Sequence, residues 1–407
     1  MAGPLGHIRV LELSRVLAGP WAAQTLADLG AEVIKVEKPK TGDDTRSWAP
    51  PYARTRDGSQ STETAYFLST NRGKRSVTVD LAHPEGQRLV RALAGWSDVV
   101  IENFKVGGLA RYGLDYPTLH ALKAALVYCS ITGFGQTGPY RDRPGYDFMI
   151  QGLGGLMSIT GEPDERAGGG PMKVGVAVAD LFTGLYATIA ILGALAHRDR
   201  TGEGQHIDMA LLDSQVAMLA NQAMNYLTTG VAPRRLGNAH PNIVPYQVFA
   251  ASDGHLIVAV GNEGQYARLC EAAGRPELAS DPRFGSNEMR VRNREELGRL
   301  LGEAFRTRSK GEWLDALERA GVPCGPINTV ADVFADPQVR ARGMRLELAH
   351  PTLGVVPSVA NPIKYSATPL TYRSAPPTLG ADTDEVLHEV VGLAPAEIAR
   401  LREAGVI

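Results

Sequence analysis

The chain has 407 residues, and 42 Lys and Arg against 44 Asp and Glu leave a formal net charge of −2. That length allows two or three domains with sizeable cores, and the near-neutral balance supplies no basic field for nucleic acid. Cys129, Cys270 and Cys324 lie far apart without CxxC spacing, which argues against a disulfide framework or a zinc site and suits a reducing cytosol.

Taken in order, the first elements are a buried strand over residues 8–13, a helix over 20–29 and a second strand over 31–36. Gly19-Pro20 opens the helix and Gly30 closes it. No basic stretch followed by an apolar run precedes them, so no signal peptide is expected and the cytoplasm is the expected location. A β-α-β unit implies a parallel sheet, whose ligands sit in loops at the carboxyl ends of strands such as 14–19. Glu37 stands where a dinucleotide enzyme would hold a ribose, but no GxGxxG accompanies it. Residues 38–75 read as loop. Within them Arg72, Lys74 and Arg75 form either a solvated turn or a site for the phosphates of a nucleotide-like ligand.

A helix over 84–94 leads to a strand over 98–101 that ends in Glu102-Asn103-Phe104. The next strand, 126–132, ends in GFGQTGPY, where glycines let the backbone approach a ligand closely. Tyr146-Asp147 open a glycine-rich segment, and residues 174–197 form the most apolar stretch of the chain. From Leu181 to Ala196 nothing is charged, and a helix apolar on every face belongs inside a protein. Sixteen residues span roughly 24 Å, short of the ~30 Å hydrocarbon core of a bilayer, so a buried helix with Asp180 at its N-terminus is expected. Asp180 then has two readings. As an N-cap it accepts a backbone N–H; as a carboxylate held ionised at neutral pH it can attack an activated acyl group. Position alone does not choose between them.

Residues 207–227 read as a second long apolar helix leading out of the first domain. Hairpin-like strands at 246–250 and 255–260 flank Ser252-Asp253-Gly254, and amphipathic helices follow at 293–306 and 310–320. Beyond residue 335 the chain is proline-rich and extended, a traverse over another surface. It ends in helices over 383–391, with Asp382 and Glu385 spaced as a capping box, and from Pro395, expected to pack back on the first domain. The expected organisation is a large domain over 1–200, a linker helix over 201–227, a small α+β domain over 228–330 and a return segment over 331–407. No HxxxH, HExxH or GxSxG occurs. His240 lies in a Gly/Asn/Pro-rich loop, as a loop hydrogen-bonder or a site residue.

Seven motifs in fixed order resemble one family: LSRVLAGPWAAQTLADLGAEVIKVEKP, GDDTR, NRGKRS, IENF, ITGFGQTGPY, GYDFMIQGLGGLMSITG and VGVAVADLFTG. They are similar to the class III coenzyme A-transferases, the formyl-CoA and carnitine-CoA transferase group that also contains α-methylacyl-CoA racemase. RLGNAHPNIVPYQ and YCSITGFGQTGPY are most similar to its dicarboxylate branch, the succinate–hydroxymethylglutarate and glutarate type. The resemblance implies an α/β fold, a Rossmann-like parallel-sheet large domain plus a smaller α+β domain, in an interlocked homodimer. It also implies transfer of CoA from an acyl-CoA, succinyl-CoA here, to a dicarboxylic acid such as glutarate, through an aspartyl anhydride and an aspartyl-CoA thioester.

Asp180 matches the family's nucleophile. Val16, Leu17 and Ala18 match a loop along coenzyme A, although some members carry a polar residue where Leu17 stands. Lys38 matches a basic position near the adenine nucleotide, and Val79, Leu81 and Ala82 a backbone-contacting stretch. Asn103, Phe104, Lys105 and Arg111 match contacts on the IENF side, and Tyr146 and Asp147 the pair lining the thioester end. His240-Pro241-Asn242-Ile243 replaces the glycine-run loop that covers formyl-CoA transferase intermediates. A distal carboxylate wants a cation, for which Arg46, Arg234 and Arg235 are candidates. No permanently bound cofactor, metal, nucleic acid or membrane is expected; coenzyme A is substrate and product. The rival readings are an acyl-CoA racemase, for which Tyr146 stands where the racemase has histidine, a nicotinamide oxidoreductase, and a non-catalytic CoA-binding protein.

Overall fold

In the computed structural model, which describes residues 3–407, six strands form one parallel sheet. They are β1 (Arg9–Glu12), β2 (Glu32–Glu37), β3 (Lys74–Thr78), β4 (Val99–Glu102), β5 (Val127–Thr132) and β6 (His206–Ala210), in the order β3-β2-β1-β4-β5-β6. Side chains alternate along each strand, so Val10, Val33, Val99 and Val127 feed one core and Leu11, Ile34, Val100 and Tyr128 the other. The helices Ala18–Asp28 and Val178–Thr201 cover the first face. Helix Pro84–Trp96 and the late helices Thr383–Glu389 and Pro395–Glu403 cover the second. The order reverses between β1 and β4, and in open α/β sheets a ligand crevice opens at that point, beyond the carboxyl ends of the strands.

The chain divides into two units, one of Met1–Gly154, Gly175–Met218 and Pro337–Ile407, the other of Gly155–Val174 and Leu219–Asp336. These bounds differ from the expected 1–200, 201–227, 228–330 and 331–407. The second unit holds a three-stranded antiparallel sheet of Cys324–Pro326, His255–Ala259 and Tyr246–Ala250. Its core is built on Phe249, Leu256, Phe305 and Trp313.

Several expectations need correction. Residues 207–227 are not one helix but β6 followed by helices Leu211–Met218 and Ala220–Thr229. His-Ile-Asp-Met-Ala alternates with period two, and Ile207 and Met209 turn to the core while the segment pairs with β5. The basic cluster at 72–75 is neither a solvated turn nor a free phosphate site: Arg72 and Gly73 do form a turn, but Arg72 and Lys74 are buried. Arg72 pairs with Asp28 at 2.6 Å, Lys74 with Glu12 at 2.7 Å and Arg75 with Glu32 at 3.2 Å, all within or beside the sheet. The proline-rich return contains an antiparallel hairpin, Arg345–His350 with Gly354–Val359. Asp382 makes no cap bond to its own helix; its carboxylate accepts the Ser76 N–H of β3 at 2.7 Å.

The helix Val178–Thr201 also departs from expectation. Ala179, Thr183, Gly184, Ala187, Ile191 and Ala194 are buried, but Phe182, Leu185, Tyr186 and Ile189 remain exposed. By length and composition it is the one helix among the described residues that could cross a membrane. Its small-residue face instead packs on helix Ala18–Asp28, so closely that a Cβ on Gly184 would lie 2.7 Å from the Ala18 carbonyl oxygen. That approach carries the first turn of the helix, one turn before Gly184, to the loop after β1.

Candidate active site

The loop after β1 is held from below by a buried charge cluster. The Lys35 ammonium, fully buried, donates to the Ser14 carbonyl at 2.8 Å and pairs with Glu12 at 3.1 Å and Asp43 at 2.9 Å. Burial works to lower its pKa, but Asp43, Glu12 and Glu37 hold it above the ordinary lysine value. Burial likewise opposes ionisation of Asp43, and Lys35 with the Thr45 N–H overcomes it, drawing that carboxyl down to about 2. Asp43 accepts the Val16 N–H at 3.2 Å. Val16 has φ +74, a region that a β-branched residue adopts only under constraint. Here Asp43 supplies part of that constraint, and the result turns Val16, Leu17 and Ala18 toward the cleft.

The loop after β4 grips the same segment. Asn103 accepts the Arg15 N–H at 2.9 Å and donates to the Arg15 carbonyl at 2.7 Å, a reciprocal clamp across the point where the strand order reverses. Glu102 accepts the Phe104 N–H at 2.7 Å, and burial pushes its carboxyl up to about 7. The Arg15 guanidinium lies 5.7 Å from the Phe104 ring centroid and pairs with Asp44 at 2.8 Å.

A cleft of about 820 Å³ opens above these loops, and Val16, Leu17, Ala18, Asn103, Phe104, Lys105, Arg111, Tyr146 and Asp180 line it. A second cleft of about 290 Å³ shares Arg15 and Phe104 with the first and is lined by Lys38, Val79, Leu81 and Ala82. The two form a groove running from Lys38 past Phe104 to Asp180.

Asp180 is not a helix cap. The N-cap position of Val178–Thr201 is Ala177, which offers no side chain for the task. Asp147 substitutes: its Oδ2 accepts the Ala179 N–H at 2.8 Å and the Asp180 N–H at 3.4 Å, while Oδ1 accepts from Gln151 at 2.6 Å. The Asp180 side chain is thereby left to face the cleft. Burial, and then the charge of Asp147, push its carboxyl from 3.8 up to about 7. The expectation of a fully ionised carboxylate at neutral pH is corrected accordingly, because the backbone donors that would hold it ionised are taken by Asp147. Such a carboxylate is more basic than an ordinary one, and acylation would remove its unfavourable charge.

Tyr66 senses the same two acids. Burial first, then Asp180 and Asp147, raise its phenol to about 12, so its hydroxyl keeps its proton. Tyr66 and Arg143 lie outside the seven motifs, and Arg15, Lys35 and Asp43 lie within them without being singled out as site residues.

Other candidates fall elsewhere. Arg46 is consumed by Glu37, with contacts of 2.7 and 2.8 Å, lies 3.5 Å from the Phe67 ring centroid and donates to the Pro377 carbonyl. Glu37 ends β2 in a buried place that demands a cation, which also removes its reading as a ribose holder. Arg235, in the second unit, pairs with Asp164 and donates to the Glu162 carbonyl at 3.0 Å. Arg234 is exposed in that unit. His240, also there, accepts the Asn242 N–H at 3.1 Å through Nδ1, with its ring centroid 5.2 Å from that of Tyr246. Its loop is braced by Arg294, which donates to the carbonyls of His240 and Pro241 at 3.1 and 2.7 Å.

The family model for CoA-transferase family III matches residues 5–383. The chain is 56% identical over 387 residues to the succinate–glutarate CoA-transferase of Agrobacterium fabrum, covering 95% of this chain and 96% of that one. It is 43% identical over 404 residues to the succinyl-CoA:glutarate CoA-transferase of Homo sapiens, covering 99% and 90%. Among solved structures, a CAIB/BAIF family protein from Brucella suis matches with a TM-score of 0.84 at 54% identity, covering 96% of this chain and all of that one.

Proposed function

The chain belongs to CoA-transferase family III, and from that premise we propose that it moves CoA between succinyl-CoA and glutarate with Asp180 as the acyl carrier. The succinate–glutarate transferases that share 56% and 43% of its residues over nearly full length support the donor and acceptor. The observation that carries the residue assignment is Asp180 itself, its carboxyl raised to about 7 at one end of a groove lined at the other by Lys38.

In the first step a carboxylate oxygen of Asp180 attacks the thioester carbon of succinyl-CoA. The C–S bond breaks, giving a succinyl-aspartyl anhydride and CoA thiolate. The thiolate attacks the aspartyl carbonyl, the anhydride C–O bond breaks, and succinate leaves an aspartyl-CoA thioester. Glutarate attacks that thioester to form the second anhydride and free thiolate, which attacks the glutaryl carbon, releasing glutaryl-CoA and Asp180. Every step exchanges one acyl bond for another, so the thioester's energy survives only where water is kept out. The charge of Asp147 and the burial of Asp180 disfavour the free carboxylate, and in each acylated state the Asp180 carboxyl itself carries no charge. The enzyme therefore favours the intermediates relative to an exposed aspartate.

The same reading includes a homodimer in the cytoplasm, no membrane insertion and no resident cofactor. The dimer is supported by apolar side chains left exposed on one unit: Phe182, Leu185, Tyr186 and Ile189, with Tyr146, Phe148, Met149 and Leu153. An apolar surface of that extent marks an interaction face. The test is incubation with succinyl-CoA and glutarate, following glutaryl-CoA and trapping the aspartyl thioester with hydroxylamine. Asp180→Ala should abolish both signals; full exchange by that variant would end the assignment.

A further inference from the structure

Five cations line the cleft that contains Asp180: Arg15, Lys105, Arg111, Arg141 and Arg143. Two have carboxylate partners, Arg15 with Asp44 at 2.8 Å and Arg141 with Asp142 at 3.5 Å. The other three pair with no carboxylate among the described residues, and they come from two segments of the cleft wall. Lys105 and Arg111 belong to the loop after β4, and the Arg111 guanidinium lies 4.5 Å from the ring centroid of Tyr112, which lines the Lys38 cleft. Arg143 stands three residues before Tyr146 and four before Asp147, the residue that accepts the Asp180 N–H. Three residues reach at most about 10 Å, so the Arg143 backbone stays within that distance of Tyr146, which lines the cleft together with Asp180.

Arg143 is also held in place. The Arg143 guanidinium lies 3.9 Å from the Tyr140 ring centroid, the Arg143 backbone N–H donates to the Tyr140 carbonyl at 2.9 Å, and Tyr140 meets Phe134 edge-on at 5.6 Å. The segment is seated on the end of β5 by two glycines: a Cβ added to Gly133 would lie 2.5 Å from the Gly145 Cα. A guanidinium stacked by its face keeps its N–H edge for a planar, two-oxygen partner.

We propose that Arg143 reads the distal carboxylate of the acyl group and so selects dicarboxylic over monocarboxylic CoA esters. The inference rests on the CoA-transferase reading and adds the residue that sets its substrate class. A CoA ester of a dicarboxylic acid is anionic at both ends, with phosphates at one and a carboxylate at the other. The unpaired cations of the cleft come from two separate segments, the loop after β4 and the stretch before Tyr146, so one can meet each charged end. Arg46 does not line this cleft, and Arg46 and Arg235 are already engaged with carboxylates.

The experiment measures binding of glutaryl-CoA and pentanoyl-CoA by calorimetry in an Asp180→Ala background, where the ester is not consumed. The two ligands share a five-carbon chain and differ in the terminal carboxylate. With Arg143 present, glutaryl-CoA binds roughly 10–100-fold tighter, the range of a charge-assisted hydrogen bond. Arg143→Gln removes that preference while leaving the Kd of pentanoyl-CoA unchanged, and Arg143→Lys retains part of it. A preference that survives Arg143→Gln, or an equal loss for both esters, overturns the assignment. The transferase reading is judged separately, by acyl exchange in the unmodified protein. Its failure would leave both Kd values measurable.

Discussion

Asp147 caps the helix on which Asp180 sits, accepting the Asp180 N–H at 3.4 Å through the oxygen that takes the Ala179 N–H at 2.8 Å. One contact therefore fixes the backbone under Asp180 and places a negative charge beside its carboxyl. Burial and that charge put the Asp180 carboxyl at about 7. With the Asp180 carboxylate as the proposed attacking form, kcat/KM for succinyl-CoA should fall about tenfold per pH unit below that midpoint. Asp147→Asn keeps an oxygen for the two N–H groups and deletes the charge, so the midpoint should move to lower pH. A pH–rate profile of the two proteins measures it, and a midpoint that stays put would leave burial as the sole cause.

Asp180 should cost stability at the pH where it works. Its carboxyl titrates at about 7 in the folded chain against an ordinary 3.8, so between those values the folded state binds more protons than the unfolded one. Stability from this group then declines as pH rises through the window, and the penalty is complete above it. Asp180→Asn should raise Tm at pH 8 by more than at pH 5. Calorimetric scans at the two pH values decide this, and an equal shift at both would contradict it.

Arg46 should behave as a structural residue. Its partner Glu37 is buried, and against that burial Arg46 and Lys35 hold the Glu37 carboxyl below its ordinary pKa. Arg46→Ala strands that charge and should reduce unfolding free energy by about 3–5 kcal/mol, read from urea denaturation. The ratio of kcat/KM for glutarate over pentanoate should not change in the protein that remains folded.

Asn103 should affect binding of CoA esters more than turnover. Its two hydrogen bonds to Arg15 are each worth about 0.5–1.5 kcal/mol, and they hold the loop that lines the groove. Asn103→Ala should raise KM for succinyl-CoA several-fold with a smaller change in kcat, as steady-state kinetics would show. A loss confined to kcat would place Asn103 in the chemistry instead.

The exposed apolar face can be tested by charge. Ile189 is 63% exposed on the helix that carries Asp180. Ile189→Glu should leave the monomer's stability within about 0.5 kcal/mol and shift sedimentation from dimer to monomer. An unmodified protein that sediments as a monomer would remove the dimer from the reading.

The strand-end loops are legible in the sequence because hydrophobic period and glycine placement announce where a β-α-β unit ends. Asn103 and residues 16–18 are found that way, and the groove residues Lys38 and Val79 through the family's motifs. The rest depends on contacts between distant segments. Asp147 and Asp180 are 33 residues apart, and no local pattern says that one caps the other's helix. Arg46 looks like a free cation until Glu37 is placed beside it by the fold. The helix after Asp180 reads as buried all round, since an exposed apolar face and a face in the core use the same residues. The strand at 206–210 escapes because five residues of alternation are outweighed by the apolar run that follows.

The edge strand β3 meets its cover late. The Ser76 N–H is received by Asp382, 306 residues further along the chain, and the Thr78 N–H by Thr383. At about 5–20 residues per second of synthesis, that interval is roughly 15–60 s. For that time a nascent sheet presents unpaired N–H groups at its rim, open to pairing with any neighbouring strand. Expression yield should therefore depend on what shields that rim during translation, and slowing the ribosome between the two segments should favour aggregates.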